Sequence, residues 1–105
     1  MAWLALFVAG LFEIGWAIGL KFTEGFSRLW PSLLTCLAMV ASFILLAYAL
    51  KTIPVGTGYA IWTGIGATGT AIIGMWLLGE SRDVWRFVCI GLIVAGIVGL
   101  RLTAT

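Results

Sequence analysis

The chain has 105 residues, 63% of them hydrophobic and 10% charged, with six Lys or Arg, four Asp or Glu and no His. Such a composition excludes a water-soluble globular domain and calls for lipid as the solvent. The absence of His, of CxxC, of HExxH and of GxxxxGK[ST] leaves no metal, haem or nucleotide motif, so neither a cofactor nor an enzyme is expected, and no nucleic-acid partner either.

Dividing the sequence at its charges predicts four membrane-spanning helices in one domain covering 1–105, with spans at about 2–21, 29–50, 55–78 and 85–101. The first is apolar from Met1 to Leu20 apart from Glu13. An acid at that depth costs roughly 2.5 to 3.5 kcal/mol even on lenient insertion scales and commonly marks an ion or substrate path. Gly10, Glu13, Trp16 and Ala17 are spaced by three and four residues and share a helical face, with a small residue one turn before the carboxylate and an indole one turn after it. The segment lacks a basic leading region and a cleavage site before Lys21, which argues for a span over a signal peptide.

In the second span Pro31 punctuates the start and Ser42 places a hydroxyl near the middle. Pro54 does the same for the third, where Tyr59, Trp62, Thr63 and Gly66 form one stripe. Gly64 and Gly66 bracket a position at which that helix is able to bend. The fourth apolar run is short, but Arg86 and Arg101 can snorkel from its two ends. Within it Gly91, Ala95 and Gly99 recur every four residues beside Gly96, a small-residue ridge suited to pairing between protomers. Trp3, Trp30 and Trp85 lie near span ends and read as interfacial belt, whereas Trp16 and Trp62 read as site-lining. Cys36 and Cys89 each fall inside a span, where small-apolar packing is the ordinary explanation.

Lys21, Arg28, Arg82 and Arg86 belong to one side of the membrane, Lys51, Arg101 and the terminal amine to the other. So slight a bias permits insertion in both orientations. Two oppositely inserted copies would form an antiparallel homodimer, the two-chain counterpart of the inverted repeats within single-chain transporters.

The run Ala9-Gly10-Leu11-Phe12-Glu13-Ile14-Gly15-Trp16-Ala17, Ser42, and the run from Pro54 through Tyr59, Trp62 and Gly64 to Gly66 resemble the small multidrug resistance transporters, in particular their guanidinium exporter branch. The likeness extends over the whole chain and includes Gly79-Glu80 in the third loop. It implies a dual-topology homodimer in the bacterial inner membrane that exchanges guanidinium for protons. It also implies that Glu13 binds cation or proton, that Trp16, Ser42, Tyr59 and Trp62 line the site, and that Gly64 with Gly66 is the hinge. Gly15 and Gly58 depart from the family pattern, which usually has a bulkier apolar residue and Ala there.

The chemistry is coherent with that implication. Guanidinium offers paired N–H donors that match a carboxylate and flat faces that stack on indole. Ser42 and the Tyr59 hydroxyl are expected to orient the carboxylate, for which proton and substrate compete. The other readings of the residues are an exporter of quaternary or aromatic drug cations, a passive cation channel, and a non-transporting membrane assembly subunit.

Overall fold

The computed structural model describes residues 1–103. It is all-α: α1 spans Ala2–Phe22, α2 Leu29–Ala49, α3 Val55–Leu77 and α4 Val84–Thr103. Each helix is long and apolar enough to cross a membrane. The connections between them are tight turns, so α1 and α3 run one way and α2 and α4 the other.

The turns show how local chemistry ends each helix. At the end of α1 the buried Thr23 hydroxyl donates to the Leu20 carbonyl at 2.8 Å and accepts the Phe26 N–H at 3.2 Å. The chain then reverses through left-handed backbone at Glu24, Gly25 and Phe26, and the Thr23 carbonyl accepts the N–H groups of Ser27 and Arg28. Pro54 occupies the position before α3 and Pro31 the first turn of α2, where a missing N–H removes no helical bond. At the end of α3 Gly79 takes φ +69°, allowing the Leu78 and Glu80 N–H groups to converge on the Gly74 carbonyl at 3.1 and 3.2 Å. Glu80 then pairs with Arg86 at 3.3 Å, and the Arg82 side chain donates to the Met75 carbonyl at 3.2 Å.

α1 is the central element, packed along both α2 and α3, while α4 lies along α3. Small residues set these approaches. A Cβ at Gly10 would collide with Ile65, one at Gly66 with the Glu13 carboxyl, and one at Gly69 with Ile14. The seam between α1 and α3 therefore interlocks in a single parallel register, first a knob from α3, then two from α1. Gly19 receives Thr35 in the same way on the α2 side, and Gly58 receives Leu50. The core cluster of Ala5, Leu6, Ala9, Ala49, Ile53, Ile61 and Trp62 lies where α1, α2 and α3 meet.

No residue of α4 is buried. Ile97 and Leu100 are half-buried against the core cluster, while most of its other large apolar side chains, like the outward faces of the other helices, are exposed to what would be lipid or another protein. Gly91, Gly96 and Gly99 have open space where a side chain would begin, and Ala95 is exposed beside them.

Candidate functional site

Glu13 projects from the middle of α1 into the seam with α3, opposite a glycine: the carboxyl fills the volume that a Cβ at Gly66 would occupy. One carboxylate oxygen, Oε1, is buried and has no hydrogen-bond donor among the described residues. Buried polar atoms are paired in the great majority of cases, and an ionised carboxylate only accepts, so this oxygen is a point at which a donor from outside the protomer is wanted. The indole Nε1 of Trp16, one turn further along α1, is likewise buried without a partner.

Around this pair stands an aromatic wall. Trp16 meets Phe43 edge-on with centroids 6.3 Å apart, Phe43 meets Trp62 edge-on at 5.7 Å, and Tyr59 tilts over Trp62 at 5.6 Å. The separations fall in the range in which aromatic pairs attract beyond the area they bury. Trp62 is held by more than packing: its indole N–H donates to the Ser42 hydroxyl at 2.9 Å, and that hydroxyl donates to the Ala9 carbonyl at 2.7 Å. Ser42 is fully buried. The relay ties α3 to α2 and α2 to α1 one turn before Glu13.

Of the residues singled out in the sequence, Glu13, Trp16, Ser42, Tyr59, Trp62 and Gly66 are brought into this one region. Ser42 acts differently from expectation, because its hydroxyl is engaged by Trp62 and Ala9 and not by the carboxylate. Thr63 also departs: its hydroxyl donates back to the Tyr59 and Ala60 carbonyls of its own helix at 2.9 and 3.2 Å. Gly10 lies against Ile65, making its contact one of helix packing. Gly64 faces Ile97 and Ile93 of α4, and α3 continues as unbroken helix through Gly64 and Gly66. Gly91, Ala95, Gly96 and Gly99 lie apart from the site on α4. A Cβ at Gly15 would meet nothing within 4 Å among the described residues, and Gly58 is buried beneath Leu50.

Sequence reasoning missed Phe43, the ring that joins Trp16 to Trp62. Its signal was present, an aromatic residue at mid-span next to the hydroxyl already singled out. It was masked by the number of exposed apolar side chains that α2 turns outward.

A family model described as Small Multidrug Resistance protein matches residues 1–93. This chain belongs to the Small Multidrug Resistance family. The family's curated members include proteins named guanidinium exporter that are similar to it from end to end. That of Salmonella typhimurium strain LT2 is 62% identical over 104 residues, which cover 99% of each chain. That of Yersinia pestis is 61% identical over 104 residues, 99% of this chain and 100% of its own. That of Citrobacter freundii is 57% identical over 103 residues, 98% of each. With four spanning helices and this membership, the chain is a multi-pass membrane protein. The resemblance read from the residues around Glu13, Ser42 and Trp62 is thereby established at the level of the family.

Proposed function

We propose that this protein exports guanidinium and related small guanidinyl cations in exchange for protons, working as an antiparallel homodimer in a bacterial inner membrane. The observation that carries the reading is the Glu13 oxygen that lacks a donor, set in the α1–α3 seam beside the free indole N–H of Trp16 and the wall of Trp16, Phe43, Trp62 and Tyr59. Its relatives named guanidinium exporter, at 57 to 62% identity over nearly the whole chain, support the substrate.

Guanidinium is planar and weakly hydrated, so moving it from water to a dry site costs less than moving an ammonium. Its N–H pairs complement a carboxylate, and its faces complement aromatic rings. Proton and substrate compete for Glu13: each neutralises the carboxylate, and a buried charge left without a partner is the state that a low-dielectric site disfavours most. If the empty, charged dimer seldom changes access, inward proton flow drives outward substrate flow. Gly64 and Gly66 are assigned to the bend that alternates access, and Gly91, Ala95, Gly96 and Gly99 to contacts between protomers. Ser42 serves by fixing Trp62 rather than by touching the carboxylate.

The test is electrical. Purified protein in proteoliposomes on a solid-supported membrane is perfused with guanidinium and then with tetramethylammonium. The expected result is a transient current for guanidinium that is lost in Glu13→Gln. Currents for tetramethylammonium of equal size would move the substrate to quaternary cations. A steady conductance with no accompanying proton movement would replace exchange by a channel.

A further inference from the structure

One end of the bundle contains a cavity of about 610 Å³ bordered by Trp3, Tyr48, Lys51, Thr52 and Arg101. It forms where the start of α1, the α2–α3 turn and the end of α4 come together. Met1 borders it as well, and its two cationic side chains are braced by aromatic rings: the Arg101 guanidinium carbon sits 4.3 Å from the Trp3 ring centroid, and Lys51 Nζ lies 5.8 Å from that of Tyr48. No Asp or Glu lines the cavity, and among the described residues neither cation is in an ion pair. The acids of the loops, Glu24, Glu80 and Asp83, belong to the turns at the opposite end. Stacking occupies the face of a guanidinium and leaves its in-plane N–H donors free for a planar or tetrahedral oxyanion.

A second, apolar groove begins at the same two residues. Trp3 and Arg101 head a cleft that continues between α1, α3 and α4 along Leu6, Phe7, Ile61, Ile65 and Ile97. A charged cavity at the membrane surface that opens into an apolar groove along the helices has the two-part shape of a phospholipid.

We propose that Arg101 and Lys51 form a binding site for the phosphate of an anionic phospholipid, one of whose acyl chains lies in the groove below Trp3. The absence of a lining acid sets the selectivity: an anionic headgroup gains two cationic side chains, whereas a zwitterionic one places its ammonium beside them with no carboxylate to offset it. The apolar groove selects a lipid over a free phosphate ion. The site is separate from the Glu13 region, and the assignment stands whichever cation the protein transports.

The experiment is native mass spectrometry of the full-length protein, released in mild detergent from vesicles holding phosphatidylglycerol and phosphatidylcholine of matched chains in equal amounts. The expected result is preferential retention of phosphatidylglycerol. From the surface contribution of one basic side chain, Lys51→Gln or Arg101→Gln weakens that retention about fivefold, and the double variant weakens it further. Arg28→Gln removes the same charge from the opposite end and is expected to leave retention unchanged. Equal retention of the two lipids, or an equal loss in Arg28→Gln, overturns the proposal, as does displacement by inorganic phosphate, which would assign the cavity to a free anion. Should the glutamine variants not fold, Arg101→Lys and a salt titration of the unaltered protein decide the matter. The former is expected to retain a reduced preference and the latter to abolish it selectively, and indifference of the preference to both overturns the site.

Discussion

At the scale of single residues the decisive contrast is between Glu13 and Ser42, both polar groups deep in apolar helices. Ser42 is satisfied within the protomer, accepting from Trp62 and donating to Ala9, while Glu13 Oε1 and Trp16 Nε1 are not. Ser42→Ala removes the acceptor of the Trp62 indole, and a loss of about 1 kcal/mol in stability against denaturing detergent is expected, the usual size of such bonds between membrane helices. Glu13→Gln is expected to preserve the fold, measured by the same denaturation, while abolishing the guanidinium current. Glu13→Asp keeps a carboxyl but shortens its reach by one methylene, and the guanidinium current is expected to be reduced without being abolished, read in the same perfusion. At Gly66 a Cβ would enter the volume of the carboxyl, so the carboxyl would have to move.

At the scale of elements, α3 is read by three surfaces at once: Gly66 and Gly69 toward α1, Trp62 toward α2, and Gly64 toward α4. A Cβ at Gly64 would stand 2.9 Å from the Ile97 side chain, too close for ordinary contact. Gly64→Ala is expected to cost about 1 to 3 kcal/mol, as overpacking does, and Ile97→Ala in the same chain to restore part of that loss. The two denaturation curves, compared with the single variants, measure the coupling. If Gly64 is at the same time the bend of α3, transport in the double variant stays impaired after stability is recovered. That outcome separates the hinge from the packing role.

At the scale of the whole molecule, α4 is the face that the protomer leaves without cover. Among the described residues, a Cβ at Gly91 or Gly96 would meet nothing within 4 Å. If the proposed dimer pairs through this face, Gly91→Leu together with Gly96→Leu is expected to leave the protomer's helical content intact by circular dichroism while reducing dimer yield in crosslinking. The same protomer carries only a slight difference in Lys and Arg between its ends, with Lys21, Arg28, Arg82 and Arg86 opposed by Lys51 and Arg101. Under the positive-inside tendency, Ser27→Arg adds to the richer side and is expected to shift the population toward the orientation with that side cytoplasmic, read by labelling of cysteines introduced in the loops.

The residue pattern by itself determined that the chain is four apolar helices joined by short turns, because span length, charge placement and Pro54 and Pro31 are local properties that lipid and backbone chemistry enforce without reference to neighbours. It also singled out Glu13, since a lone acid among apolar residues needs no structure to be conspicuous. Periodicity put Trp16 on the face of Glu13 and Trp62 on the face of Gly66, but a helical wheel says nothing about which faces meet. Only the tertiary structure decided that Ser42 bonds Trp62 in place of the carboxylate, that Phe43 bridges the two indoles, and that Gly10 and Gly66 are notches for Ile65 and Glu13. Those facts depend on the register between helices distant in sequence, which is set by the fit of knobs into small-residue gaps.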